Sequence, residues 1–592
     1  MAAVAQQRAQ PWGFLGYWGT SPVPQQQLQS IIARGPAPSL KSHFHSGSLA
    51  DAGLAWGAVQ FYDRATEPST GSPLVALSAA GLEQPETWVD VTAEGELIWW
   101  RDVFGRVPLH WLQQGTVLWF ASRLQLLLPL VDRPAVSLPA LYGYSCFSYV
   151  PTPLTPIQGI HAVPAGVQQR HRWSPTGALL TETTPAAPWR VSDPPLRQEA
   201  AAIEQLQTLL QQAVERQLSA LPKGPVGVLL SGGLDSSIVA ALLVQAGVEV
   251  RAYSLDLGRE EVSELPYARQ VAEFLGIPLV TVRATPDRIR SALGATARAL
   301  DLPFGDGVTV PLYLLNQAAA ADTSVIFNGE NGDQLFAGWT NKPLIAAGLY
   351  QTAVPTAANG FNQQYLQTFH RLWGYEAQVF TAMARSQIAP LNPADWLQGA
   401  LGQASEPLLH RLRRATLMLK GAQNIQPRAT QIAHAHGLQV RSPFCDPDLT
   451  RWTFSLSSDL YLRGTCEKYI LKQAVAPWLP PEIVWRQKRG MGVPLTYWCY
   501  HDLWSDLGRW LNPARLRREG LWQARLPAYI AAGQLGGIQG RRVGELLWLL
   551  VMWQQWRQAV LGEAPPSRTW DHPFWLPPEL WQILRRQLWS SP

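Results

Sequence analysis

A chain of 592 residues exceeds what one hydrophobic core usually organises, so two domains are expected. Its net charge of +5 is mild for that length and no run of lysine or arginine exceeds two residues, which excludes an electrostatic footprint for nucleic acid. The four cysteines (Cys146, Cys445, Cys466, Cys499) lack zinc-site spacing and disulfide-scaffold density, no apolar stretch reaches the roughly 18 residues of a membrane span, and residues 1–10 have no signal-peptide core; a reduced, cytoplasmic protein without a membrane partner is expected.

In chain order, the first boundary signal is the proline-rich stretch 183–195, whose prolines resist both helix and central strand. Residues 196–221 are helix-compatible and lead into a short apolar run, 226–230, of the buried parallel-strand type, after which 238–243 begins another helix. Residues 325–327 read as a second buried strand that runs into a glycine-rich turn. Far downstream, Trp548, Trp553 and Trp556 lie at helical spacing among leucines and read as core rather than as a groove. The last stretch, 565–592, pairs proline-rich turns with a short helix at 580–588.

The turn Ser231-Gly232-Gly233-Leu234-Asp235-Ser236-Ser237 joins strand to helix. At such a turn the helix-start N–H groups and glycine-permitted geometry make an anion site, to which Ser231, Ser236 and Ser237 add hydroxyls. This is a seat for pyrophosphate. A carboxylate at Asp235 would repel phosphates unless a cation lay between, so Asp235 reads as a magnesium ligand. The second turn, Asn328-Gly329-Glu330-Asn331-Gly332-Asp333, carries two acids three apart and also follows a strand. Ligands bind beyond the carboxyl ends of parallel strands, so both turns can face one crevice.

These two turns, with Gly437-Leu438-Gln439-Val440-Arg441-Ser442-Pro443-Phe444-Cys445-Asp446 and the stretch from Lys468-Tyr469-Ile470-Leu471-Lys472 through Leu479-Pro480 to Arg486-Gln487-Lys488, resemble the asparagine synthetase family in order over more than 250 residues. The resemblance implies ATP and magnesium as cofactors, with Asp235 and Asp333 as the magnesium–pyrophosphate carboxylates. Lys488 would be the cation that meets pyrophosphate. The loop residues Ser231, Gly232, Gly233, Ser236 and Ser237 would hold the phosphates, and Leu229, Leu257, Asn328 and Gly329 the adenosine. Glu330 would lie near an acyl-adenylate and help deprotonate an incoming amine, unless it is only a helix-start acid or a second-sphere partner of the metal.

Upstream, Arg101-Asp102-Val103-Phe104-Gly105-Arg106-Val107-Pro108-Leu109-His110 and the segment Gly159-Ile160-His161-Ala162-Val163-Pro164 resemble the family's amidotransferase domain. Trp12-Gly13-Phe14-Leu15-Gly16 resembles that domain's opening, with tryptophan in place of the nucleophilic cysteine and eleven residues ahead of it. An indole supplies neither thiolate nor base, so the glutaminase is expected to be dead, with Cys146 a buried apolar residue and Arg101 with Asp102 a structural turn pair. The expected fold is an α+β part, a degenerate Ntn-type αββα sandwich over 1–184, then a linker at 185–196. An α/β adenylating domain with a parallel sheet would follow over 197–562, with an extension at 563–592.

Without glutamine as ammonia source another amine is required. Among family members the chain most resembles lasso peptide cyclases, which close a macrolactam between a peptide's amino terminus and a side-chain carboxylate; the segment Thr155-Pro156-Ile157-Gln158-Gly159-Ile160 contributes to that likeness. The implied partners are a precursor peptide and a leader-peptidase or recognition-element protein. An ammonia-dependent asparagine synthetase, a β-lactam-synthetase-like enzyme and a non-catalytic scaffold of the same fold are the alternatives.

Overall fold

In the computed structural model the described residues exclude 1–10, 35–40, 50–52, 63–73, 79–84, 186–188, 259–262, 339–361, most of 363–370, 402–405, 488–489, 491, 536–541, 565–572, 589–592 and a few single positions. The fold is mixed α/β, with two antiparallel sheets followed by a parallel one.

The first eleven strands are β1 (Pro11–Gly19), β2 (Lys41–Leu49), β3 (Leu54–Tyr62), β4 (Val75–Leu77), β5 (Thr87–Val91), β6 (Leu97–Arg101), β7 (His110–Gln114), β8 (Val117–Ala121), β9 (Ile160–Ala162), β10 (Val167–Trp173) and β11 (Leu179–Pro185). They form a six-stranded sheet ordered β2-β3-β1-β8-β7-β9 and a five-stranded sheet ordered β11-β10-β6-β5-β4. Alternation of buried and half-buried residues in β5 and β6 gives each strand one core face. Aromatic rings join the sheets: Trp18 on β1 stacks on Trp173 of β10 at 5.6 Å, and its indole donates to Gly95 O at 2.9 Å. The strand β11 extends through Pro185, and the next helix begins at Glu199.

The parallel sheet comprises β12 (Val226–Leu229), β13 (Val250–Asp256), β14 (Leu279–Arg283), β15 (Val325–Phe327) and β16 (Gln439–Arg441), in the order β14-β13-β12-β15-β16. Strands β12 and β15 are apolar throughout because helices cover both faces; Val325, Ile326 and Phe327 are buried. From β12 the chain moves outward to β13, whereas from β15 it moves the opposite way to β16. The adjacent strands β12 and β15 therefore flank the switch point, where a crevice opens at their carboxyl ends.

The antiparallel sheets are braced against this unit. Arg106 donates to Val440 O in β16 at 2.5 Å, the Thr152 N–H to Gln423 Oε1 at 3.0 Å, and Tyr144 OH to Leu549 O at 2.8 Å. Gln125 Nε2 and Gln431 Nε2 both donate to the fully buried Asp301, at 3.2 and 2.7 Å. Helix Arg542–Val560 has no polar face because it is enclosed, with Trp548, Trp553 and Trp556 buried as its spacing implies. Helix Pro578–Leu588 lies in the carboxyl-terminal stretch, where Trp504 donates to Leu576 O at 2.7 Å. Among the described residues no helix is long and apolar enough to cross a membrane.

Two buried histidines make the sheets acid-sensitive. Burial lowers His110 to about 4, with Asp301 opposing and Arg101 and Arg123 assisting, and burial lowers His171 to about 4 as well. Both are neutral in the fold, so their contribution is complete above the ordinary value of 6.5 and is lost as pH falls from 6.5 toward 4. Each would cost on the order of 3 kcal/mol over that window. Urea titrations should show stability falling from pH 6.5 to 4, and His171→Leu should remove about one proton from that dependence.

Candidate functional site at the switch point

The loop after β12 is stitched by its own serines. Ser231 N–H donates to Ser236 Oγ at 3.2 Å and Gly233 N–H to Ser231 Oγ at 3.2 Å. Ser236 Oγ and Ser237 Oγ both donate to Gly233 O, at 3.1 and 2.8 Å. Ser237 is fully buried, so its hydroxyl serves the loop's shape, whereas Ser231 is half-buried at the crevice. Helix Leu234–Gln245 starts here, its first intrahelical bond running from Ser237 N–H to Gly233 O at 3.1 Å. The N–H groups of Leu234 to Ser236 precede that bond, the arrangement that favours an anion at a helix start.

The loop after β15 is pinned from β16. Asn328 N–H donates to Arg441 O at 3.0 Å, and Asn328 Oδ1 accepts from Ser442 Oγ at 2.8 Å and from Glu330 N–H at 3.1 Å. Asn331 adopts φ 85°, a left-handed conformation asparagine tolerates, and its amide donates to Phe444 O at 3.2 Å. The turn thus brings Asp333 round toward the first loop. The close approach requires glycine at Gly332, where a Cβ would stand 2.5 Å from Asp235 Cγ, and at Gly338, where it would overlap the Lys468 side chain.

A third segment closes the site. Lys468, at φ 55°, caps helix Tyr469–Val475 and sends its ammonium between the two acids. Nζ lies 2.6 Å from each oxygen of Asp235 and 2.6 Å from Asp333 Oδ1. The lysine side chain is 2% exposed and Asp333 30%, so the cluster is buried on one side and open to the crevice on the other.

Sequence reasoning placed Asp235 and Asp333 here, and the structure brings them onto one nitrogen. It missed Lys468 as the cation, although a signal was present: a lysine at a helix start opposes the macrodipole and needs acids nearby to hold it. Lys488, expected to meet the pyrophosphate, lies outside the described residues. The segment leading to it runs beside the loop: Arg486 donates to Glu264 at 3.2 Å and its guanidinium sits 3.8 Å over the Tyr267 ring, while the Tyr267 backbone packs on Gly232. Leu229 and Leu257 lie at the carboxyl ends of neighbouring strands, with Asn328 and Gly329 at the end of the next. Glu330 is half-buried between the loop and Cys445, and it is among the acids that reinforce burial in raising the Cys445 thiol.

Two convergent carboxylates open to a crevice suit a hard divalent cation that takes its remaining oxygens from phosphates and water. Among the described residues no group of three or more His, Cys, Asp or Glu could hold a metal ion by itself.

In the antiparallel sheets, Arg101 spends its donors on carbonyls of Val107, Val163 and Gly105 at 3.2, 2.6 and 3.0 Å. Asp102 accepts from the N–H groups of Phe104 and Arg106 at 2.8 and 2.9 Å. Both therefore hold a turn. Cys146 is 1% exposed and burial raises its thiol above the ordinary range, so it is not positioned as a nucleophile.

A parallel sheet with a serine-glycine anion loop at its switch point, and a carboxylate–lysine cluster facing it, defines a nucleotide-handling α/β protein. The asparagine synthase family model matches residues 205–558, and this chain belongs to that family. The glutamine-hydrolysing asparagine synthetase 1 of Bacillus subtilis is 23% identical over 434 residues, 68% of this chain and 66% of that protein. A Mycobacterium bovis relative, named as a glutamine-hydrolysing asparagine synthetase, is 26% identical over 442 residues, 69% of this chain and 66% of its own. The chain thus spans just under two thirds of these relatives. Among solved structures, the ammonia-dependent NAD synthetase of Campylobacter jejuni is similar at 16% identity, covering 36% of this chain and all of that one, with a TM-score of 0.18, too low to bear on fold or function.

Replacing Lys468 by methionine should leave two carboxylates facing each other. Breaking a fully buried pair costs about 3–5 kcal/mol; because Asp333 is partly open to water, a loss of about 2 kcal/mol is expected in denaturant titrations. Adding Asp235→Asn should restore part of it.

Proposed function

We propose that this chain is an AMP-forming carbon–nitrogen ligase that adenylates a side-chain carboxylate of a peptide and closes a macrolactam with the peptide's amino terminus, as lasso peptide cyclases do. The observation that carries the ligase reading is the convergence of the serine-glycine loop and Asp333 on the Lys468 ammonium at one crevice. On this reading ATP lies with its adenosine at Leu229, Leu257, Asn328 and Gly329, and its pyrophosphate over Ser231, Gly232, Gly233, Asp235 and Ser236, with Ser237 shaping the loop from within. Asp235 and Asp333 would hold a magnesium ion, which when bound neutralises phosphate charge.

The substrate carboxylate attacks the α-phosphorus, forming the acyl-adenylate as the bond to pyrophosphate breaks. Negative charge builds on the departing oxygen, where Lys468 and Lys488 would stabilise it electrostatically. The peptide's amine then attacks the acyl carbon, AMP leaves with the electron pair, and Glu330 helps to take the proton that the amine gives up. Holding both ends of one peptide together supplies much of the rate through proximity.

The choice of amine rests on the amino-terminal half, which we take as a degenerate Ntn-type domain over 1–184, joined by 185–196 to a synthetase domain over 197–562, with 563–592 as an extension. Its two antiparallel sheets suit an αββα sandwich, while Trp12 replaces a thiol and Cys146 is enclosed. Glutamine would then not be the nitrogen source. A leader-peptidase or recognition-element protein would present the peptide, and the work would take place in the cytoplasm, with neither nucleic acid nor membrane as a partner.

The test incubates purified protein, ATP and magnesium with synthetic peptides carrying a free amino terminus and one internal Asp or Glu. Products one water lighter, with AMP and pyrophosphate, are expected, and Asp235→Ala should lower them at least ~100-fold. Release of ADP and phosphate would sink the ligase mechanism, glutamine hydrolysis above background would overturn the Trp12 argument, and asparagine made from aspartate and ammonium would replace the peptide substrate.

A further inference from the structure

Arg413, on helix Leu408–Thr416, is fully buried, and among the described residues no carboxylate reaches it. Its neighbour Arg414 is held by Glu406, so the two adjacent arginines are treated differently by the fold. Taking a guanidinium out of water without an acid is costly, and an apolar side chain would fill the same space at lower cost. What an apolar side chain lacks is a rigid fork of N–H donors.

That fork reaches both arms of the carboxylate–lysine cluster. Nε donates to Leu335 O at 2.7 Å. Leu335 ends the short helix Gly332–Leu335 that carries Asp333, so its carbonyl has no partner inside the helix, while its N–H donates to Asn331 O at 2.9 Å. Nη2 donates to Thr453 Oγ1 at 2.6 Å, and Nη1 to Thr453 O at 3.3 Å and His410 Nδ1 at 3.0 Å. Arginine only donates, so His410 accepts as the neutral imidazole, burial and then Arg413 lowering it to about 3.

The guanidinium also lies 4.1 Å from the Tyr461 ring centroid and 4.4 Å from that of Phe454. Tyr461 leads to the lysine: its carbonyl accepts from the N–H of Tyr469, the residue after Lys468, at 3.0 Å. Its hydroxyl donates to Thr453 O, the same carbonyl that Arg413 uses, and its ring packs on Phe336, next to Leu335, at 6.4 Å. Arg413 therefore touches the Asp333 arm at Leu335 and the Lys468 arm at Tyr461.

We propose that Arg413 is a positioning residue for the carboxylate–lysine cluster: its fork sets the Asp333 turn against the helix start at Lys468, so that both acids are in place for magnesium and ATP. The role toward magnesium and ATP rests on the ligase reading above, whereas the hold on Lys468 rests on the contacts alone. Arg413 acts through Leu335 and Tyr461 rather than on the reacting atoms.

Two measurements test it. Trace acetylation of the full-length protein with acetic anhydride, read by peptide mass spectrometry, compares Lys468 with Lys472, whose side chains are 2% and 5% exposed and lie one turn apart. In Arg413→Met, checked by thermal melting, the ratio of Lys468 to Lys472 labelling should rise ~10-fold as the helix start loosens locally. An unchanged ratio overturns the proposal, including the case in which both lysines become equally reactive through global opening. Thr453→Val, which removes only the Nη2 acceptor, should raise the ratio about threefold and decides the question if the methionine variant does not fold. The second measurement is the magnesium dependence of pyrophosphate exchange into ATP on the peptide panel. Half-saturating magnesium should rise ~10-fold while that of the peptide stays within about twofold. A merely structural loss would lower the rate without moving the magnesium midpoint, and that result overturns the proposal. Absence of exchange in wild type with every peptide tried overturns the ligase reading, and the acetylation ratio then decides by itself whether Arg413 holds Lys468.

Discussion

The ammonium of Lys468, buried against Asp235 and Asp333, is the constraint around which the rest of the site is arranged. Three segments far apart in sequence supply it, and each must reach the same few ångströms: the loop after β12, the loop after β15 and the start of helix Tyr469–Val475. Burying a lysine and two acids is costly, and the attraction offsets that only with short contacts. Those contacts exist because Gly332 and Gly338 remove side chains that would otherwise stand between the partners. Like charges are thereby held close together, facing a crevice, in a state that a polyphosphate and a hard cation can rearrange.

The antiparallel sheets support this arrangement mechanically. Arg106, in the turn held by Arg101 and Asp102, reaches Val440 in β16, and the next residues, Arg441 and Ser442, hold Asn328 at the head of the second loop. A path of hydrogen bonds thus runs from the amino-terminal sheets to the carboxylate turn. Gln125, Gln431 and the buried Asp301 fasten the same two regions elsewhere. A turn of this kind has reason to persist irrespective of any chemistry in the sheets.

Much of the local structure was legible beforehand. The apolar runs at 226–229 and 325–327 could only be buried parallel strands, the serine-glycine loop had to lie between strand and helix, and the tryptophans near residue 550 had to be core. Ser237 shows the limit of such reading: its hydroxyl was expected to serve the anion site and is instead spent on Gly233 O inside the loop. Sequence gives a hydroxyl's presence in a loop but not the direction in which it points.

By itself, the sequence determined the family, the two loops and their acids, because these depend on local spacing and on backbone geometry that a few residues dictate. Tertiary structure decided which cation the acids share. Lys468 and Lys488 look alike along the chain, and only the strand order, with β15 returned to the far side of β12, converts separations of more than a hundred residues into the 2.6 Å contacts of Lys468. Electrostatic roles follow distance and burial, which chain order does not encode.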